Sequence, residues 1–229
     1  MKVESTPSDT AIVLLGGAAV TPVDIGPLPE PALVVAADSG AHHADALGLS
    51  VHVVIGDMDS IDETALAALG ALGATVIGHP SDKNETDAEL ALLHSARCGA
   101  RKVVVVSSGG GRLDHQLSLF SLLFHDSLRG IDVEARIGAS RSYPVRSGES
   151  RIFSCRDGDI VGLLPFGGDS HGIVTDGLQW PLHGESLRVA ASRGVSNRAV
   201  GERFSVSVGN GRLLVTVDRP EASNQRVPE

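Results

Sequence analysis

Through the first 135 or so residues, short apolar runs alternate with stretches of helical periodicity. The runs Ala11–Leu15, Ala32–Ala37, His52–Ile55, Thr75–Ile77, Lys102–Val106 and Asp132–Ile137 predict strands. Several are β-branched and unbroken by polar positions, the pattern of a parallel sheet covered on both faces. Between them Gly40–Leu47, Ile61–Leu72, Asp87–Arg97 and His115–Leu128 predict helices, three of them followed by a glycine at 48, 73 or 99 suited to a C-cap. Ser60-Ile-Asp-Glu63 and Thr86-Asp-Ala-Glu89 have the form of capping boxes. This βαβ rhythm predicts an α/β domain over residues 10–137, built on a mostly parallel, doubly wound sheet.

From about residue 138 the pattern changes to Gly, Ser and Arg with short alternating runs and no helical stretch. Strands are expected at Ser150–Phe153, Ile160–Leu164, Gly172–Thr175, Leu187–Ala190, Arg203–Val208 and Arg212–Val217. The last two flank Gly209-Asn210-Gly211, which reads as a hairpin turn. Residues 138–218 are therefore expected to form a smaller antiparallel β-sandwich, with a polar tail at 219–229.

Composition narrows the function classes. A net charge of −9 without a basic block argues against nucleic acid as a partner. The aromatic content is 3%, so aliphatic side chains must fill the core and the single Trp becomes conspicuous. Cys98 and Cys155 are too few and too far apart for a zinc site and read as reduced thiols, with one disulfide as the alternative. The opening is polar and acidic, and the apolar run from Ala11 to Val20 is glycine-broken, so it reads as a strand and turn rather than a leader. No segment approaches the roughly 20 apolar residues that span a bilayer. The expectation is a cytoplasmic protein without a membrane partner.

The candidate chemistry is acidic. Asp57 and Asp59 stand one residue apart in Gly56-Asp57-Met58-Asp59-Ser60, directly after an apolar run. Asp38 follows another run, and Asp87 and Asp114 open predicted helices. Strand ends on one edge of a parallel sheet are where such folds bind ligands. Two neighbouring carboxylates in a glycine turn have no structural need for both charges, and carboxylates with retained waters suit Mg²⁺ bridging to phosphates. Asp87 and Asp114 also have a plain alternative, a first-turn acid and an N-cap.

Ser108-Gly109-Gly110-Gly111-Arg112 follows a strand, and its glycines let the backbone approach a phosphate that Arg112 grips. Neither a P-loop nor a dinucleotide glycine motif is present. Lys83 lies near the acidic residues in sequence, with a solvated surface lysine as the alternative. Trp180 is either a core plug or a stacking face for a flat cation. Arg193-Gly194-Val195-Ser196-Asn197 is a polar turn, and the neighbours His42 and His43 read as a surface feature.

In chain order, Ala37-Asp38-Ser39-Gly40, Gly56 to Ser60, Lys83 to Asp87, Gly110-Gly111-Arg112-Leu113-Asp114-His115, Gly177 to Leu182 and Ser196-Asn197 resemble the motifs of the thiamine pyrophosphokinase (thiamine diphosphokinase) family. The resemblance spans nearly the whole chain. It implies an α/β nucleotide-binding catalytic domain, a thiamine-binding and dimerisation sandwich, and a homodimer with active sites at the subunit interface. The implied reaction moves a pyrophosphoryl group from ATP to the hydroxyl of thiamine, giving thiamine diphosphate and AMP. By motif, Asp57, Asp59 and Asp87 would hold Mg²⁺, Asp38 would lie near the attacking hydroxyl or the metal, and Asp114 would complete the acidic site. Lys83, Thr86, Gly110, Gly111 and Arg112 would bind the nucleotide, with Lys83 and Arg112 on phosphates. Trp180 would face the thiazolium, and Ser196 and Asn197 would shape the thiamine pocket.

One departure stands out: bacterial members carry an acidic residue at the position of Asn84. Two other functions remain open on the sequence, a nucleotide- or thiamine-binding module without turnover and a metal-dependent phosphohydrolase.

Overall fold

The computed structural model describes residues 9–219 and divides into two compact units on either side of Gly138. The expected polar tail lies, beyond Arg219, outside the described residues, as does the chain's opening before Asp9.

The first unit carries six strands: β1 (Thr10–Leu15), β2 (Leu33–Ala37), β3 (Val53–Gly56), β4 (Thr75–Gly78), β5 (Lys102–Ser107) and β6 (Asp132–Ile137). All pair in parallel, in the order β4-β3-β2-β1-β5-β6. Ile12 on β1 stands beside Val34 on one side and Val104 on the other. These side chains pack with Ile61, Leu66 and Leu69 on one face, while the alternate positions Val13, Val35 and Val105 are also fully buried. Burial on both faces explains the unbroken apolar runs. Four helices connect the strands: α1 (Pro22–Ile25), α2 (Glu63–Ala71), α3 (Asp87–Arg97) and α4 (Leu113–Leu122). This is the mostly parallel, doubly wound sheet expected from the sequence.

The connections differ from expectation in four places. The helix expected at Gly40–Leu47 is a pair of 3₁₀ turns, Asp38–His43 and Asp45–Leu47. A Cβ on Gly40 would stand 2.1 Å from the Leu14 carbonyl oxygen, so the first of these turns lies directly against β1 and only glycine fits there. Helix α2 starts two residues late because Asp62 caps it, its Oδ1 accepting from the Ala65 amide at 2.8 Å, which leaves Ser60 outside the helix. Helix α4 stops at Leu122, and a separate 3₁₀ turn, Asp126–Leu128, follows with the His125 ring accepting from the Ser127 amide. The short α1 had no signal in the periodicity; Thr21 caps it and Pro22 opens it.

The second unit is an antiparallel sandwich of β7 (Ser140–Arg146), β8 (Ser150–Ser154), β9 (Ile160–Pro165), β10 (Ser170–Asp176), β11 (His183–Leu187), β12 (Asn197–Arg198), β13 (Arg203–Asn210) and β14 (Arg212–Asp218). One sheet runs β12-β9-β14-β7 and the other β11-β10-β13-β8. Val145, Leu163, Leu213 and Val215 from the first meet Phe153, Ile173, Phe204 and Val206 from the second in a single core. Strands β7 and β12 lacked a clear alternating pattern, and β11 lies earlier than expected.

The hairpin read at Gly209-Asn210-Gly211 is corrected. Strands β13 and β14 do not pair with each other; β13 pairs with β10 and β8, and β14 with β7 and β9. The glycine pair turns the chain from one sheet to the other, held by the Ser147 hydroxyl, which donates to Gly211 O and accepts from Gly211 N. No helix among the described residues is long and apolar enough to cross a membrane.

Phe204 is 2% exposed and stacks on Phe153 with ring centroids 4.8 Å apart. Phe204→Ala is expected to destabilise the chain by about 3–5 kcal/mol, the range for a truncated core aromatic, read as a lower urea midpoint.

Candidate active site

Because β1, β2, β3 and β5 are parallel, their carboxyl ends open on one edge. The chain winds outward from β1 in both directions, so the crevice of this fold lies at the ends of β1 and β5. The loops there are in contact: a Cβ on Gly16 after β1 would stand 2.4 Å from Ser39 Oγ, and one on Gly17 would stand 3.0 Å from Ser108 Oγ. The sequence carried a weak signal for this crevice, Gly16-Gly17 after an apolar run, which was given no role; Ser39 and Ser108 stood inside the motifs above without a role of their own.

The acidic residues gather at the ends of β2 and β3. One oxygen from each of Asp38, Asp57 and Asp59 lies within 4.8 Å of the others. Asp38 is 5% exposed and takes a left-handed backbone, φ 47°. Its Oδ2 accepts from the Ser60 amide at 3.1 Å and from the Ser60 hydroxyl at 2.5 Å. Its Oδ1 is buried without a hydrogen-bond partner. Between the other two acids Met58 packs against the core, also left-handed at φ 63°, and the Asp59 amide donates to Asp57 Oδ1 at 3.3 Å. Gly56 makes room for the group: at φ 151° any Cβ would meet the Asp87 carboxyl carbon at 3.0 Å and Asp38 Cβ at 3.2 Å.

Asp87, assigned to the metal by motif, stands beside this cluster and is paired with Lys83, its Oδ1 3.1 Å from Nζ. The same ammonium is 3.5 Å from Asp57 Oδ2 and only 11% exposed, so Lys83 is no free surface lysine. Thr86 caps α3, its hydroxyl accepting from the Glu89 amide at 3.2 Å. Asn84 is exposed and outside the carboxylate group.

The electrostatics follow the geometry. The charge of Asp57, then partial desolvation and the charge of Asp38, push the Asp59 carboxyl above its ordinary value. Desolvation works against the charge of Asp57 too, but the Asp59 amide, the Ser81 side chain and Lys83 outweigh it and hold its carboxyl low. Lys83 is likewise desolvated, yet Asp87 and Asp57 raise its ammonium above the ordinary value.

Asp114 does not join the three acids. Arg112 grips it through two bonds, Nη2 to Oδ2 at 2.6 Å and Nε to Oδ1 at 3.2 Å, and that grip holds the carboxyl low. Nor is it the N-cap of α4; Arg112 occupies that position and makes no side-chain cap bond. Before it, Gly109, Gly110 and Gly111 have φ of 71°, 79° and 75°, three successive left-handed residues that only glycine tolerates well. The Gln116 side chain donates to Gly110 O at 2.5 Å and holds the loop.

In the second unit, Trp180 is 55% exposed, so the core-plug alternative is overturned; Leu178 and Leu182, each 5% exposed, fill the core instead. Asn197 is 4% exposed and spends its amide on the backbone. Its Oδ1 accepts from the amides of Trp180 at 3.1 Å and Arg198 at 2.8 Å, and its Nδ2 donates to Trp180 O at 2.8 Å. Ser196 is exposed and left-handed, φ 62°. His42 and His43 are not a surface pair: His43 is buried, and burial followed by the neighbouring His42 lowers its basicity.

The profile of the thiamin pyrophosphokinase catalytic domain matches residues 28–134, and that of the thiamin pyrophosphokinase vitamin B1 binding domain matches residues 149–213. The chain belongs to the thiamine pyrophosphokinase family. Thiamine pyrophosphokinase 1 of Arabidopsis thaliana is 27% identical over 172 residues, 72% of this chain but 64% of the relative, just under two thirds of its length. Thiamine pyrophosphokinase of Bacillus subtilis is 23% identical over 186 residues, covering 81% of this chain and 87% of the relative. The solved Bacillus subtilis thiamine pyrophosphokinase superposes with a TM-score of 0.81 at 22% identity, over 93% of this chain and all (100%) of that one. Thiamin pyrophosphokinase from Candida albicans gives 0.76 at 14% identity, over 93% and 90% of the two chains. At these identities the structures establish the shared fold.

Two outcomes follow from this family member's geometry. Asp59→Asn removes one of three crowded charges and is expected to raise the melting temperature in metal-free buffer at neutral pH. A raised carboxyl adds stability below the ordinary carboxylate value and loses it as pH climbs through its own higher value, so the gain should vanish in acid. Melting curves of both proteins from acid to neutral pH check this. Asn197→Ala frees the Trp180 backbone, and since the chain has a single Trp, its fluorescence anisotropy is expected to fall.

Proposed function

We propose that this chain transfers a pyrophosphoryl group from ATP to the hydroxyl of thiamine, giving thiamine diphosphate and AMP. A bond forms between the hydroxyl oxygen and the β-phosphorus as the bond from the β-phosphorus to the oxygen bridging it to the α-phosphorus breaks; AMP leaves with that oxygen, and the hydroxyl proton is released to solvent. The observation that carries this reading is the group of three converging acids, one of which, Asp38, keeps its Oδ1 buried without a hydrogen-bond partner. A donor set of oxygens alone fits a hard cation such as Mg²⁺, and Asp38, Asp57 and Asp59 would hold it, with Asp87 alongside. The ion supplies charge neutralisation for the phosphates and the departing AMP.

The chain's own residues position the reactants. Lys83 is held at the acidic edge by Asp57 and Asp87 and offers an ammonium to a polyphosphate. The left-handed glycine run presents backbone to the nucleotide, with Arg112 beside it. Trp180 offers an exposed indole face to the thiazolium cation, and the exposed Ser196 stands next to Asn197 in sequence. The proposal includes a homodimer with active sites at the subunit interface, supported by the exposed apolar side chains Ile152, Trp180, Val195 and Val200 that a second copy would cover. It has the enzyme working in the cytoplasm, where ATP is available.

Incubation with ATP, thiamine and Mg²⁺ is expected to yield thiamine diphosphate and AMP in equal amounts, and neither product when thiamine or metal is left out. ADP in place of AMP overturns the reading, and phosphate released without thiamine makes the chain a phosphohydrolase.

A further inference from the structure

We infer that Ser60 is a positioning residue for the acidic site: it fixes the Asp38 carboxylate across two loops by committing one of its oxygens, so that the group keeps a single orientation beside Asp57 and Asp59. This rests on the cation reading above and deepens it. Both donors of Ser60, the amide at 3.1 Å and the hydroxyl at 2.5 Å, go to Asp38 Oδ2. Neither goes to Oδ1, which remains buried without a hydrogen-bond partner, in a carboxylate that has one oxygen within 4.8 Å of Asp57 and Asp59. A carboxylate free to rotate about its last torsion would exchange the two oxygens; two donors on one of them hold it still.

A helix-capping role does not account for Ser60. Its place three residues ahead of Glu63 has the form of a capping box, but Asp62 caps α2, and Ser60 reaches back 22 residues to Asp38 instead. The bond also spans the two strained points of the site. Asp38 at φ 47° and Met58 at φ 63° are both left-handed without being glycine, a conformation that persists only when its surroundings hold it. Asp38 directly follows β2 and Met58 follows β3, and Ser60 ties the two turns together. Groups that orient the ligands of a metal commonly change its affinity about 10–100-fold when removed.

The test is a titration of the full chain with Mn²⁺, without nucleotide or thiamine, following free Mn²⁺ by electron paramagnetic resonance. Ser60→Ala is expected to bind about 10-fold more weakly, the low end of that range because the amide donor remains. Ser60→Thr, which keeps the hydroxyl, should bind as the parent does, and Ser60→Cys, isosteric with a weaker donor, should resemble Ser60→Ala. In turnover, Ser60→Ala should lower kcat while leaving the KM for thiamine unchanged. Equal Mn²⁺ affinity in the parent and Ser60→Ala overturns the positioning role and leaves the carboxylate site standing. A parent that takes up no Mn²⁺ overturns the cation reading, and this inference with it.

Discussion

Three carboxylates brought within 4.8 Å of one another repel, and the rest of the site is arranged to hold them there. The holding force comes from the sheet. Strands β2 and β3 are buried neighbours in parallel register, so the turns at their carboxyl ends cannot move apart without exposing Val35, Val54 and Ile55 to water. Burial of each such side chain stabilises by about 1.5–3 kcal/mol. That is ample against like-charge repulsion between groups partly open to solvent. The unpaired Asp38 oxygen is the clearest trace of the conflict, because a buried acceptor left without a donor is costly unless something else is meant to meet it.

Lys83 moderates the repulsion from the side. Its ammonium lies between Asp57 and Asp87, so part of the negative charge is balanced within the chain itself. The raised Asp59 carboxyl and the lowered Asp57 carboxyl show how unevenly that balance falls: Asp57 has the amide, Ser81 and Lys83 for partners, whereas Asp59 faces mainly the other acids. A divalent ion and the phosphates it carries suit this asymmetry, since the acids need positive charge and the lysine offers it to an anion.

In the second unit the same division between anchor and working surface recurs. The core side chains Leu178 and Leu182 pin the loop on either side of Trp180, and Asn197 fastens its backbone through both N–H and C=O. The indole is left exposed while its main chain is held. The buried Asn197 amide spends its oxygen on two backbone amides and its nitrogen on the Trp180 carbonyl.

The strands β1 to β6 and helix α3 were legible in the sequence because burial on both faces and a Thr86 cap leave strong local marks. So were the places of Asp38, Asp57 and Asp59, whose spacing after apolar runs announces strand-end loops, and the family was legible in its ordered motifs; that Lys83 is held between acids was not. Other readings failed where two chemistries share one local pattern. Ser60-Ile-Asp-Glu63 resembles a cap whether Ser60 or Asp62 does the capping, and Gly209-Asn210-Gly211 resembles a hairpin whether its strands pair or part into two sheets. The grip of Arg112 on Asp114, the exposure of Trp180 and the burial of His43 likewise depend on what stands nearby in space. The sequence alone determined which residues form the parallel sheet and which acids end its strands, since those are matters of local periodicity. Only the tertiary structure decided which oxygens meet, because that depends on side chains 20 or more residues apart, as in the Ser60–Asp38 bond across 22 positions, which no local pattern encodes.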